Sequence, residues 1–131
     1  MARILIIEDN PDNMKLFAAV LGLHGHAVVG RADGQGLLEV LDTERPDLIL
    51  MDIQLPGQDG FALLSEIRRS HHRNFRVVAL TAHAMTGDED RAMEAGFDGY
   101  ITKPINVRSF PDQVAAALGG GAERTLHSGL G

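Results

Sequence analysis

Three carboxylates, one hydroxyl and one ammonium stand where apolar runs of this chain end. Glu8 and Asp9 follow Arg3-Ile4-Leu5-Ile6-Ile7, and Asp52 closes Asp47-Leu48-Ile49-Leu50-Met51-Asp52. Thr81 follows Arg76-Val77-Val78-Ala79-Leu80, and Lys103 follows Gly99-Tyr100-Ile101-Thr102. Charged groups set directly on hydrophobic runs are costly unless something pairs them. If the three acids meet, two unit charges ~4 Å apart repel by about 4 kcal/mol at an effective dielectric of 20. A divalent cation relieves this, and oxygen donors without His or Cys point to Mg²⁺ rather than zinc. Acids, metal, lysine and hydroxyl together suit phosphoryl transfer. A carboxylate nucleophile needs no general base at neutral pH, and it would form an aspartyl phosphate. Asp52 ends the most apolar run and is the best nucleophile; Glu8 and Asp9 suit the metal. Taken singly, Asp52 would serve equally well as a loop residue and Thr81 as an ordinary strand end.

The elements that must position these groups alternate along the chain. Residues 3–7 read as a buried strand, ended by Glu8-Asp9-Asn10. Asn10 can cap a helix with Pro11 at its first position and Met14, Phe17, Ala18 and Leu21 on its apolar face. Gly25 suits its stop, and 27–29 read as a second strand. Asp33 is expected to cap a helix carrying Leu37, Leu38 and Leu41. Pro46 separates that helix from the strand ending at Asp52, and Pro56-Gly57 closes the strand region. Phe61, Leu64, Ile67 and Arg68 make a third helix after Gly60. Residues 76–80 form a fourth strand, 85–95 a helix stopped by Gly96, and 99–102 a fifth strand. The last helix, reaching Leu118, starts from either Asn106 or Ser109; with Ser109 as cap, Pro111 falls second and Asp112 completes a capping-box-like pair.

Five strands alternating with five helices imply an α/β fold, a doubly wound parallel sheet with right-handed crossovers. The flavodoxin-like (βα)5 order 2-1-3-4-5, a common one for such sheets, is the natural choice. In such a sheet all the polar strand ends share one edge, where ligands collect. The 131 residues suffice for one domain with a sizeable core. No cysteine is present, so neither disulfides nor thiolate metal sites arise. No apolar stretch approaches the ~18–20 residues of a membrane span, and the strand pattern at the N-terminus leaves no room for a signal peptide. A cytoplasmic location is the expectation. A net charge of −6 argues against direct nucleic-acid binding.

These residues together carry a family resemblance. Ile6-Ile7-Glu8-Asp9-Asn10, Pro46-Asp47-Leu48-Ile49-Leu50-Met51-Asp52, Leu80-Thr81-Ala82 and Gly99-Tyr100-Ile101-Thr102-Lys103-Pro104 are similar to the receiver domain of two-component response regulators. The likeness covers residues 3–118, leaving 119–131 as a glycine-rich, flexible tail. In detail the chain looks like single-domain regulators, and Thr81-Ala82-His83-Ala84-Met85 also looks like receivers of hybrid histidine kinases.

The resemblance implies a phosphoacceptor signalling domain that assists its own phosphorylation and dephosphorylation, rather than an enzyme. It implies that Asp52 takes phosphate from a phosphohistidine on a histidine kinase or phosphotransfer protein. Asp9 and Asp52 would ligate Mg²⁺ with the backbone carbonyl of Gln54, Glu8 acting through water. Lys103 would contact the phosphoryl group, Thr81 would move to bond it, and Tyr100 would change rotamer. That would remodel the face of the fourth helix, fifth strand and fifth helix for a downstream protein target. Gln54 and His83 would tune phosphate lifetime, and the Lys103–Pro104 bond would be cis. Phosphorylation adds about −1.5 to −2 charges, and Thr81 and Lys103 would gain a partner only in that state.

Two other classes compete. A flavin-binding flavodoxin would want a hydroxyl-rich phosphate loop after the first strand, where this chain has acids. A phosphatase with an aspartyl intermediate usually carries a second Asp two residues on, where this chain has Gln54. Within the receiver class, the start at Met1 and the absence of an output domain favour a free-standing regulator. The alternative is a receiver excised from a hybrid kinase or multidomain regulator, passing phosphate to a histidine phosphotransfer protein. His24, His26, His71 and His72 lack metal-ligand company and suit solvated or packed roles. Arg68, Arg69, Arg73 and Arg76 suit a cationic helix end and a solvated loop.

Overall fold

Aliphatic and β-branched runs, punctuated by Gly, Pro and Asn, build the strands of this protein. The computed structural model describes residues 2–55, 57–70, 72, 74–82 and 87–119. In chain order they form β1 (Arg3–Ile7), α1 (Pro11–Leu23), β2 (Ala27–Arg31), α2 (Leu37–Glu44) and β3 (Leu48–Asp52). A small hairpin follows, β4 (Gln54–Leu55) and β5 (Gln58–Asp59). Then come α3 (Gly60–Arg69), β6 (Val77–Thr81), α4 (Asp88–Ala95), β7 (Gly99–Thr102) and α5 (Phe110–Leu118).

The main sheet runs β2-β1-β3-β6-β7, every pair parallel. Leaving out the hairpin strands, this is the expected order 2-1-3-4-5. Alternate residues feed opposite layers, as the two-residue period of a strand requires. Ile4, Ile6, Leu48, Leu50, Val78 and Leu80 pack with Phe17 and Leu21 of α1 and Phe110 and Val114 of α5. Leu5, Ile7, Ile49, Met51, Val77 and Ala79 pack against α2 and α3, with Ala92 and Phe97. β3 and β6 are buried along their whole length. Burial on both faces explains their continuous apolar sequences.

Local chemistry departs from expectation in several places. Asp33 does not cap α2; its Oδ1 accepts from Gln35 N–H in a turn, and α2 starts after Gly36, whose φ of 64° favours glycine. At α5 the two starts divide the work. The helix begins after Ser109 with Pro111 in its first turn, but the accepting side chain is Asn106, whose Oδ1 takes the N–H groups of Arg108 and Ser109. The Ser109 amide is thereby used, in place of a capping box with Asp112. α1 follows the expected pattern, Asn10 Oδ1 accepting from Asp12 and Asn13 N–H. Two of the four arginines, Arg68 and Arg76, do more than meet solvent. Arg68 donates to the carbonyls of Phe75 and Gly96 and to Asp98, and Arg76 donates to the Ala117 carbonyl near the end of α5. Pro56, His71, Arg73, His83, Met85 and residues 120–131 of the expected tail lie outside the described residues.

Candidate functional site

Parallel strands bring their carboxyl ends to one edge, and the polar strand-end residues meet there. Asp52 is the last residue of β3 and only 3% exposed. Glu8 directly follows β1 and is 2% exposed, whereas its neighbour Asp9 is exposed. Carboxylate oxygens of Glu8, Asp9 and Asp52 lie within 4.8 Å of one another. Thr81, fully buried, ends β6, and Lys103 directly follows β7.

Lys103 Nζ lies between two acids, 2.8 Å from Asp52 Oδ2 and 3.2 Å from Glu8 Oε1. The expectation that Lys103 gains a partner only on phosphorylation is therefore corrected: it is already doubly paired, because two buried carboxylates need a counter-charge. The second oxygen of each acid takes a backbone donor. Gln54 N–H donates to Asp52 Oδ1 at 2.8 Å, and Asn10 N–H donates to Glu8 Oε2 at 3.1 Å. Burial, with a smaller contribution from the Asp52 charge, pushes the Glu8 carboxyl above its ordinary range, against the opposing pull of Asn10 and Lys103. Burial alone would lower the Lys103 ammonium; its bond and attraction to Asp52, then those to Glu8, outweigh this and raise it. The Lys103–Pro104 peptide is cis.

The loop after Asp52 is shaped by the β4–β5 hairpin. Gly57 turns it with φ 69°, and Gly60 lets α3 begin against the β3 end. A Cβ at Gly60 would lie 2.6 Å from Ile53 Cα and 2.9 Å from the Asp52 carbonyl oxygen. Pro56-Gly57 reads in the sequence only as a stop to the strand region; Gln54-Leu55 and Gln58-Asp59 on either side are too short to show the alternation that marks a hairpin. Gln54, whose backbone carbonyl is the expected metal ligand, meets Asp52 here through its N–H. Tyr100 is set apart from this cluster, on β7 and 41% exposed. Burial and the nearby Glu89, which its side chain bonds, with Asp90 adding, raise its phenol above the ordinary value. Glu89 also accepts from Thr102 Oγ1 at 3.1 Å, tying α4 to β7. Of the histidines, His26 Nδ1 accepts from Ala2 N–H. His72 is buried with Nε2 2.8 Å from Asp42 Oδ1 and its ring 5.3 Å from that of Phe75.

The donor set fits a hard cation: three carboxylates in reach of one another, offering oxygen alone. Among the described residues no helix is long and apolar enough to cross a membrane.

Comparison with known proteins agrees with this geometry. The chain is 39% identical over 117 residues to the polar-differentiation response regulator DivK of Brucella anthropi, covering 88% of this chain and 95% of that one. Among solved structures it is similar to the receiver domain of a sensor histidine kinase from Pseudomonas aeruginosa, at 34% identity and a TM-score of 0.82, over 91% of this chain and 98% of that one. That structure has a magnesium ion coordinated in its active-site cleft. The receiver domain of NtrX from Brucella abortus matches at 29% identity and a TM-score of 0.81, over 90% and 99% of the two chains. The model of the response regulator receiver domain matches residues 4–115, and with it this chain belongs to the receiver domains of two-component response regulators.

Proposed function

We propose that this protein is a phosphorylation-activated response regulator whose Asp52 accepts a phosphoryl group from a phosphohistidine on a histidine kinase or phosphotransfer protein. The observation that carries this is the Asp52 carboxylate at the end of β3, 2.8 Å from Lys103 Nζ and grouped with Glu8 and Asp9. One Asp52 oxygen attacks phosphorus, a P–O bond forms, the P–N bond breaks, and the phosphohistidine, protonated on its other ring nitrogen, leaves as neutral imidazole carrying that one N–H. Mg²⁺, when bound, offsets negative charge on the transferring phosphoryl group. Asp9, Asp52 and the Gln54 carbonyl are its proposed holders, with Glu8 acting through water. Lys103 orients the phosphoryl oxygens, releasing part of its bond to Asp52 as it does so. Thr81 bonds the group once attached, and Tyr100 follows, so that the face of α4, β7 and α5 changes what it presents to a downstream protein. Gln54 and His83 are proposed to tune phosphate lifetime. The domain spans residues 3–118 with the remainder as tail, works in the cytoplasm, and turns over no separate substrate.

Incubation with acetyl phosphate and Mg²⁺ tests the reading. It should give one acid-stable, hydroxylamine-labile phosphate, absent in Asp52→Asn. Labelling retained in that variant would move the nucleophile elsewhere. The 34% identity to the receiver of a sensor histidine kinase favours a second reading, a receiver that passes phosphate to a histidine phosphotransfer protein. Transfer of label from Asp52 to such a protein, faster than hydrolysis, would distinguish it.

A further inference from the structure

The hairpin that brings a backbone amide to Asp52 has only two residues in each strand. Two-stranded hairpins are marginal on their own, so something else must hold this one. Leu55 is one anchor, buried in the layer of α2 and α3. Gln58 is the other: its Oε1 accepts the N–H of Gly34 at 2.7 Å, a bond between residues 24 apart in the chain. Gly34 is itself well seated. A Cβ there would lie 2.6 Å from Leu63 Cδ1 of α3, and its carbonyl accepts from Leu37 N–H at the start of α2. On the hairpin side, Gln58 pairs with Leu55 and Asp59 with Gln54, and Gln54 N–H reaches Asp52 Oδ1. A connected path therefore runs from the turn before α2, through Gln58 and the hairpin backbone, to the carboxylate at the end of β3.

We propose that Gln58 is a positioning residue for the Asp52 site: by fastening the hairpin to Gly34 it fixes the Gln54 peptide beside Asp52, and thereby sets metal affinity. The inference rests on the reading that Asp52, Asp9 and the Gln54 carbonyl hold Mg²⁺. Gln58 holds Gly34 with its side chain and reaches the site only through the hairpin backbone, as an outer support of metal-holding groups. Without its acceptor, a partly buried Gly34 N–H would be left unpaired, and the turn or the hairpin must shift to satisfy it. A shift of the hairpin carries the Gln54 peptide with it.

The test titrates Mg²⁺ into the full chain and follows the amide resonances of Gln54 and Gly34. Gln58→Met keeps length and bulk but removes the acceptor; Gln58→Glu keeps an acceptor at the same reach. Magnesium binding should weaken roughly tenfold in Gln58→Met and recover in Gln58→Glu. Because coupling between two sites is reciprocal, Mg²⁺ should also slow hydrogen exchange of Gly34 N–H in the unaltered protein, a readout that needs no variant to fold. Unchanged magnesium affinity in Gln58→Met, equal weakening in both variants, or Gly34 exchange indifferent to Mg²⁺ would each overturn the positioning role alone. An unaltered protein that shows no saturable Mg²⁺ binding would instead overturn the proposed function, and this inference with it.

Discussion

At the scale of the residue, Lys103 is the group on which the acidic edge depends. It faces Asp52 and Glu8, both buried, at 2.8 and 3.2 Å. Removing one member of a buried charge cluster leaves the others without compensation, at a cost on the order of 3 kcal/mol. Lys103→Ala should therefore lower stability by that order in EDTA, read from urea unfolding, and Mg²⁺ should recover part of the loss by returning positive charge to the acids. The same loss with and without Mg²⁺ would contradict the charge argument. Glu8 carries a second expectation. Its carboxyl is raised chiefly by burial, so the folded state binds its proton more tightly than the unfolded chain does. Stability linked to Glu8 is then fully present below its ordinary value of 4.5 and is lost as pH rises through the higher folded value. In EDTA, the stability of the unaltered protein minus that of Glu8→Gln should fall as pH rises above 4.5; a flat difference would remove the linkage and a rising one would reverse its sign. The identities of these residues were legible in the sequence because each stands at the end of an apolar run. The double pairing of Lys103 was not, because it depends on which carboxylate oxygens the Gln54 and Asn10 amides already occupy.

At the scale of the element, the strands and helices differ in how firmly they are held. β3 and β6 are buried throughout, while among the described side chains of α4 only Ala92 sinks into the core. Other contacts must hold it: Arg91 lies over the Phe61 ring at 4.5 Å, and Glu89 takes the Thr102 hydroxyl. A helix anchored this lightly belongs to the low-stability part of a fold, where switching elements are found. Arg91→Ala removes a partly exposed cation–π contact of about 0.5–1 kcal/mol. It should speed amide exchange across α4 several-fold while leaving exchange in β3 and β6 at the rate set by global unfolding. Uniform acceleration in all three would show that α4 unfolds only with the whole domain. Strands such as β1 and β3 could be read directly, since apolar runs bounded by Pro, Asn and Asp have few other solutions. The β4–β5 hairpin and the start of α2 could not. Two-residue strands leave no periodicity, and Asp33 satisfies a nearer amide, that of Gln35, in place of those of the helix after it.

At the scale of the whole molecule, acids from residues 8, 9 and 52 meet only because β1 and β3 are neighbours in the sheet. The unfolded chain holds no such cluster, so a cation that binds the site binds the folded state alone and must stabilise it. At a free Mg²⁺ concentration about a hundred times its dissociation constant, the gain is about 2.7 kcal/mol. Asp9 is the position that separates metal holding from folding, because it is exposed whereas Glu8 and Asp52 are buried and bonded to Lys103. Asp9→Asn should leave stability in EDTA within about 0.5 kcal/mol of the unaltered protein, as surface substitutions usually do. It should also lose most of the gain from Mg²⁺ if Asp9 is the direct holder proposed above. Thermal unfolding of both proteins, with and without Mg²⁺, measures the two quantities together. A full magnesium gain retained in Asp9→Asn would remove Asp9 from the metal site, and with it the reason the chain places two acids in succession after β1.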